Sequence, residues 1–512
     1  MAHNPDINAT NRGGRMPVHE ATSSGYGFGR DLSAARDILG LVPVPRRKFL
    51  KHLASASGSA IVTPSLAGLV ACAETANRGS ATAPVTPSAP APPASVPDEP
   101  VGSPFDGLYG ELVRSLDCPE LEIPKGYRCI RLSSGGVASF VRDGLVVPNA
   151  FDGMAAFPLS NGNVRLIRNH EMSDPATDEI AIGDPHYDSR ASGGTTSLEV
   201  RISVRDGELA VELVDEFVSL AGTIVNCAGG PTPWGSWLSC EETLDGTQFG
   251  YDKPHGYVFE VPVDATGPVD PVPLRAMGRF VHEAVAVDSA TGIVYQTEDQ
   301  PGDRAGLYRF IPDTPEVLAD GGQLQMMAVT GHPRFVTSHG HTQGAVWPAH
   351  WVDIADPDHE VSDQGFAAGA ARFERLEGAF PGDNGIYFVS TSGGDAQTGQ
   401  VFHYLPTSAE GGELRLIFES PSQDILNSPD NIVLSPHGGV LLCEDPRSPD
   451  RFIRELDPKG RIVNLVQGRG GEFAGSCFSP DGQVMFFNVQ GSVEQNGSTA
   501  SGTYALWKLG RA

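Results

Sequence analysis

Acidic residues and one cysteine recur in this chain where a metal ion could use them. Between Asp152 and Trp507 one phrase is repeated six times. Each copy opens a short apolar run on a residue of metal-ligating type, turns, and closes a second run that usually ends in paired acids. The copies open at Asp152, Cys227, Glu283, Glu377, Asp430 and the stretch Glu472–Ala474. Their second runs end at His170-Glu171, Glu241-Glu242, Glu298-Asp299, Ser392, Glu444-Asp445 and Asn488. Carboxylates crowded into one cavity raise each other's pKa until some protonate, and bound cations are the usual remedy. Oxygen-only sets suit Ca2+ or Mg2+. One thiolate among them calls for a softer transition metal, and iron fits. Any single acid could instead cap a loop or face solvent. Recurrence at matching register in five of six copies favours a shared site. Cys227 sits in the polar, turn-rich phrase NCAGGPTPWG (226–235) rather than in the apolar run typical of a buried, inert thiol. The glycines of that phrase would let backbone approach a ligand closely.

The elements that must position these residues are short strands. The second runs (VRLIRNHE, WGSWLSCEE, IVYQTED, IYFVST, VLLCED, VMFFNV) and third runs (GGTTSLEV, HGYVFEV, AGLYRFI, GQVFHYL, RFIREL, GTYALWKL) are rich in β-branched and aromatic residues. Candidate fourth strands lie at 209–217, 272–277, 324–329, 414–419 and 461–466. A repeat of this length built from strands predicts an all-β, six-bladed β-propeller. The sixth copy lacks a fourth strand, and the run Gly126–Leu132 is expected to supply it, closing the last blade and covering two open edges. Blade strands run antiparallel, so the start of the first strand and the end of the second share a face. Asp152, Cys227, Glu283, Glu377 and Asp430 should therefore ring the channel mouth. Beside them should stand Glu171, one of Glu241 and Glu242, one of Glu298 and Asp299, and one of Glu444 and Asp445. In four copies opener and closer are 14 to 16 residues apart, which supports this register. Two insertions, 172–192 and 330–372, read as long loops capping one face. The second carries His332, His339, His341 and His350, which suit a solvated surface better than a zinc site.

The net charge of −27 and pI near 4.8 argue against nucleic acid as a partner. The first ~100 residues do not read as fold. Arg46-Arg47-Lys48-Phe49-Leu50-Lys51 is a twin-arginine export phrase ahead of a mildly apolar stretch, and Leu69-Val70-Ala71-Cys72 matches a lipobox. Residues 1–72 thus form a signal and lipobox segment, 73–104 an Ala/Pro/Ser-rich linker, and 105–512 the propeller. The expected location is the periplasm or cell envelope, after export in the folded state, with a lipid anchor at Cys72. Cys118 and Cys129 are close enough in sequence to bridge in an oxidising compartment. Cys240, Cys443 and Cys477 lie in apolar strand patterns and read as buried, inert thiols.

Several phrases together resemble the PhoX family of bacterial alkaline phosphatases: NCAGGPTPWGSWLSCEE (226–242), RNHE (168–171), FVHEAVAVD (280–288), FERLEG (373–378), SPDNIVLSPHGGVLLCED (428–445) and EFAGSCFSPDG (472–482). The resemblance extends over nearly all of 105–512. It implies a six-bladed propeller with a mixed cluster of Fe3+ and Ca2+, with Cys227 as a thiolate ligand of iron. It further implies metal ligation by Glu171, Glu241, Glu283, Glu377 and Asp430, and also by Asp299 and Glu444. Arg375 would face the substrate phosphate, although a strand ion pair with a neighbouring Glu is the competing role. Two departures stand out. Val489-Gln490-Gly491-Ser492 stands where the family often shows His-Pro-Gly, and Leu376 stands where Pro is frequent. The implied activity is hydrolysis of phosphomonoesters by a monomer. Cations would bind the phosphoryl oxygens and Arg375 would grip the non-bridging ones in a bidentate contact. No Ser-His-Asp or P-loop phrase suggests a protein nucleophile. A calcium-dependent lactonase or esterase would need no thiolate. A non-catalytic envelope scaffold would need no iron. Metal analysis separates these readings.

Overall fold

Runs of β-branched and aromatic residues, broken every few positions by glycine turns, can satisfy their buried backbone only in sheet ladders. The computed structural model describes residues 109–173, 180–491 and 501–510. All of them fall in the compact unit Ser95–Ala512. The twin-arginine phrase, Cys72 and the 73–104 linker lie outside the described residues, as does part of the first insertion.

The chain is almost entirely β, with one α-helix, Val361–Ala367, among the described residues. Six strands line the centre: Phe151–Pro158, Asn226–Pro231, His282–Val287, Leu376–Gly382, Pro429–Leu434 and Glu472–Phe478. Each packs on the next, and the last packs back on the first. From each of them an antiparallel meander runs outward. Phe151–Pro158 leads to Val164–His170, Gly193–Arg205 and Glu208–Thr223 in a four-stranded sheet. At the other end of the chain, Glu472–Phe478, Val484–Gln490 and Gly502–Lys508 are completed by Tyr127–Ser134, which pairs from Lys508↔Tyr127 to Gly502↔Ser134. The upstream strand thus closes the last sheet, as expected.

Three details differ from the sequence reading. The second meander has three strands, because the predicted fourth strand at 272–277 is instead a single bridge at Pro273 followed by the 3-10 turn Arg275–Met277. Pro271 and Pro273 lack the N–H groups that a ladder requires. The 330–372 insertion is not all loop. Its segment Val346–Asp353 pairs with Gly322–Val329 on one side and Gly411–Glu419 on the other. It thereby fuses the third and fourth meanders into one nine-stranded sheet, so the strands among the described residues form five hydrogen-bonded sheets rather than six separate blades. Two outer edges that would otherwise be open are paired through it. Lastly, the hairpin Leu112–Arg114 and Leu121–Pro124 extends the fifth meander through Leu121↔Gly468.

The core lies between adjacent meanders. Tyr295, Trp351, Phe373, Phe388, Phe402 and Tyr404 fill one such layer, all buried. Cys118 and Cys129 stand side by side as buried free thiols, with Cys118 Sγ donating to the Cys129 carbonyl at 3.3 Å. Burial pushes up the thiols of Cys240, Cys443 and Cys477, Cys443 to about 12, which suits inert core residues.

Candidate metal centre

One backbone device, used in every repeat, builds the site. Each central strand slips register against its neighbour at the same point: between Phe151 and Met154, Asn226 and Gly229, His282 and Val285, Leu376 and Ala379, Pro429 and Ile432, and Ala474 and Cys477. A bulge re-aims the residues in the gap. The first residues in those gaps are Asp152, Cys227, Glu283, Glu377, Asp430 and Gly475. Two positions earlier the backbone is left-handed at Ala150 (φ 52), Val225 (φ 46), Arg375 (φ 43) and Ser428 (φ 54). For β-branched Val225 this is a strained conformation. The carbonyl there accepts an N–H from just past the second strand. Glu171 donates to Ala150 at 2.8 Å, Glu242 to Val225 at 2.9 Å, Thr391 to Arg375 at 3.0 Å and Asp445 to Ser428 at 3.0 Å. Asp299 donates to Val281 at 3.1 Å in the third repeat. Opener and closer are thus tied together five times.

The result is a chain of acids around one thiol. Asp152, Glu171 and Cys227 can offer ligand atoms within 4.8 Å of one another; so can Cys227, Glu242 and Glu283, and so can Glu283, Glu377 and Asp430. Cys227 and Glu283 each belong to two groups, so the seven residues form one continuous set. Cys227 Sγ lies 3.4 Å from Glu283 Oε1. All but Glu171 are buried. Burial and then Glu171 push the Asp152 carboxyl well up. Burial and then Glu377 do the same to Glu283, and burial and then Asp299 to Glu377. Asp430 is pushed up to about 7 by burial and Asp445. Burial, Asp152 and Glu283 raise the Cys227 thiol. Asp152 Oδ1 and Glu283 Oε2 are buried with no hydrogen-bond partner. Buried oxygens of this kind, crowded by like charges, are what cations satisfy, and the donor set fits a metal cluster.

The family model for alkaline phosphatase PhoX matches residues 107–492. The chain belongs to the PhoX family. It is a metal-dependent phosphatase, a phosphoric ester hydrolase. The fold matches that of Pseudomonas fluorescens PhoX in complex with vanadate, a transition state analogue, at TM-score 0.60 and 19% identity, covering 78% of this chain and 97% of that one. A gluconolactonase from Xanthomonas campestris, XC5397, aligns more loosely, at TM-score 0.37 and 14% identity over 78% of this chain and 98% of that one. No curated protein matches by sequence.

In this PhoX chain the structure gathers most of the residues read from the sequence, but not all. Glu171, Cys227, Glu283, Glu377 and Asp430 come together. Glu241 and Glu444 do not. Glu241 accepts from His255 Nδ1 at 2.6 Å and from the N–H groups of Ile224, Gly256 and Tyr257, facing away from the cluster. Glu444 is held by Arg454 Nε at 2.6 Å and the Asn427 N–H at 2.9 Å. Successive strand residues point to opposite sides, so only the second acid of each doublet can face the centre. Glu242 therefore takes the place expected of Glu241, and Asp445, whose charge acts on Asp430 and Glu472, stands on the inner side in place of Glu444. Asp299 keeps its expected side, gripped by Arg375 through Nε at 3.0 Å and Nη2 at 2.9 Å. The same Nη2 lies 2.9 Å from Glu377 Oε1, so Arg375 is paired with acids and still borders the cluster, its side chain 38% exposed. In the sixth repeat, expected to open at Glu472–Ala474, the first residue in the gap is Gly475, while Glu472 feels the charges of Asp445, Asp430, Asp152 and Glu171. The histidines of the second insertion join none of the acid–thiol groups found among the described residues. His341 Nε2 faces the Val336 carbonyl and His339 Nδ1 faces Ser338 Oγ.

Proposed function

We propose that this chain hydrolyses phosphomonoesters at a cluster of iron and calcium ions held by Asp152, Glu171, Cys227, Glu242, Glu283, Glu377 and Asp430. One observation carries the reading: the three acid–thiol groups linked through Cys227 and Glu283. Such a set favours hard cations on its oxygens and a softer ion on its single sulfur. When bound, the cations would supply Lewis-acid charge to the phosphoryl group and reverse a local field that would otherwise repel a dianion.

The protein's own contribution is positional. Arg375 is braced by Asp299 along one edge, which fixes the plane of its guanidinium. Its exposed part is then oriented to donate to a non-bridging phosphate oxygen, a contact that needs no rearrangement during reaction. Thr391 and Asp445, tied to the Arg375 and Ser428 carbonyls, fix the backbone on which Glu377 and Asp430 are mounted. The vanadate complex of the Pseudomonas fluorescens protein supports a phosphate-type substrate here too. Export by the twin-arginine route to the periplasm or envelope, with anchoring at Cys72, is part of the same proposal. It suits a protein that must fold around its metals before translocation.

The test is elemental analysis of the full chain, exported by its native host, beside turnover of a chromogenic phosphate ester. The expected result is iron and calcium in the wild type, activity lost with chelator, and iron lost in Cys227→Ser. Full activity in metal-free protein would sink the proposal.

A further inference from the structure

The sixth repeat differs from the other five at the centre. Its opening position is Gly475, with φ +58, and a Cβ there would sit 2.4 Å from the Asp152 carbonyl oxygen. No acid fits at that position. The first strand brings Glu472, which feels the charges of Asp445, Asp430, Asp152 and Glu171, and the second strand, paired to it at Gln490, brings amides. Asn488 Nδ2 donates to the Asp152 carbonyl at 2.5 Å. Two residues on, Gln490 Nε2 donates to Asp152 Oδ2 at 2.7 Å and to Glu171 Oε2 at 2.9 Å. These two carboxylates belong to the group that contains Cys227.

A single amide nitrogen thus commits both of its N–H bonds to two acids of one ligand group. The effect is specific to an amide. Gln draws the carboxylates together and orients them without bringing a positive charge that would compete with a cation. A Lys or Arg there would act as the cation itself. A Glu would add a third acid and no donor. Asp152 Oδ1 is left buried and without a hydrogen-bond partner on the far side of the carboxyl group. We propose that Gln490 is the positioning residue of the Asp152–Glu171–Cys227 group, holding its two carboxylates in place for one cation and so governing how firmly that cation is retained. The inference rests on the metal reading of the site given above.

The experiment compares full-length wild type with Gln490→Met, close in size but without the donors, and Gln490→Glu, isosteric with an acceptor in their place. Each protein, purified with its metals, is exposed to EDTA, and calcium and iron per chain are followed by elemental analysis over time. Outer partners of metal ligands typically contribute roughly 10- to 100-fold in metal affinity. Gln490→Met should therefore lose one cation per chain at least about tenfold faster than wild type while the remaining ions leave at the wild-type rate. Gln490→Glu, which swaps the donors for a carboxylate, should alter the release rate of that same ion alone. Thermal melts of the EDTA-stripped proteins should coincide. If Gln490→Met releases every metal at the wild-type rate, the inference is overturned. It is equally overturned if all metals leave faster together and the stripped protein melts lower, since that is general loosening. A wild type purified without metal would instead overturn the reading of the whole site, and this inference with it.

Discussion

Glu241 and Glu242, Glu298 and Asp299, Glu444 and Asp445 are neighbours in sequence, yet the two members of each doublet live in different surroundings. The outer members are buried among donors. Glu298 accepts from Tyr308 Oη at 2.7 Å and the Gly306 N–H at 3.1 Å, which pull back against a burial that still lifts it to about 8. Glu444 has Arg454, and Glu241 has His255 and three backbone amides. Of the inner members, Glu242 stands with Cys227 and Glu283, Asp299 is gripped by Arg375, and Asp445 is exposed beside Arg451. Burial alone therefore does not distinguish a structural carboxylate from one built for a ligand. What sets the openers Asp152 and Glu283 apart from these outer acids is that each keeps one buried oxygen with no hydrogen-bond partner.

The sharpest way to break this comparison is to neutralise one acid of each kind. Glu283→Gln removes a member shared by two groups. Loss of metal-derived charge stabilisation amounts to several kcal/mol, so phosphate-ester turnover should fall at least about a hundredfold. In chelator its melting temperature should match or exceed that of wild type, because one of several repelling charges is gone. A marked drop in melting temperature would mean that Glu283 is a structural acid like Glu444.

Glu444→Ala is the counterpart. It leaves the Arg454 guanidinium, 5% exposed, without its carboxylate. Stranding one partner of a buried pair costs about 3–5 kcal/mol. Denaturant unfolding should show a loss of that size, with phosphatase activity per folded molecule close to wild type. Retained stability would show that the Glu444–Arg454 bond contributes little. Lost activity in folded protein would return Glu444 to the ligand set.

The two kinds of acid were unequally legible from sequence. The openers were readable because they recur at one register, and register survives in the sequence. So was the closing strand Tyr127–Ser134, since a sixth copy without a fourth strand must borrow one. The choice between Glu241 and Glu242 was not readable. It depends on where the bulge between Asn226 and Gly229 falls, and the carboxylate's fate depends on His255, which reaches it through the tertiary fold. The same applies to Glu444, whose Arg454 partner comes from the next strand. The strand Val346–Asp353 was hidden because Pro348 and His350 made it look like loop, whereas its pairing is set by two sheet edges far apart in sequence. Gln490 looked only like a departure from the family phrase until its two carboxylate contacts were placed.

A smaller effect follows from the array around Glu241. His255 lies between Glu241 and Asp188, 3.5 Å from Asp188 Oδ2, all three fully buried. Burial works against the imidazolium, but Glu241 and Asp188 more than offset it, so the pKa of His255 is raised. A raised folded-state pKa stabilises fully below the ordinary histidine value of 6.5 and is lost as pH climbs through the folded value. The melting-temperature gap between wild type and His255→Asn should therefore be widest in mild acid and shrink as pH rises past neutrality. A gap that widens with pH would show that His255 sits there neutral, as a packing element rather than a counter-charge.

The smallest effect tests the backbone beneath the comparison rather than the acids. Ala150 holds a left-handed conformation so that its carbonyl can receive the Glu171 N–H. An L-residue in that region costs about 1–2 kcal/mol, which glycine avoids. Glycine in turn gives back about 0.4–1 kcal/mol through its freer unfolded chain. Ala150→Gly should thus raise stability by between roughly 0 and 1.6 kcal/mol, with metal content unchanged. Val225→Gly relieves the same strain but removes a buried side chain packed with Ile224 and Tyr251, so it should destabilise. The sign difference between two substitutions at equivalent positions, read by denaturant unfolding, asks whether the strain is imposed by the site. If Ala150→Gly proved destabilising, the left-handed turn would be the local preference of those residues, and the tie between opener and closer would have to arise from the sheets alone.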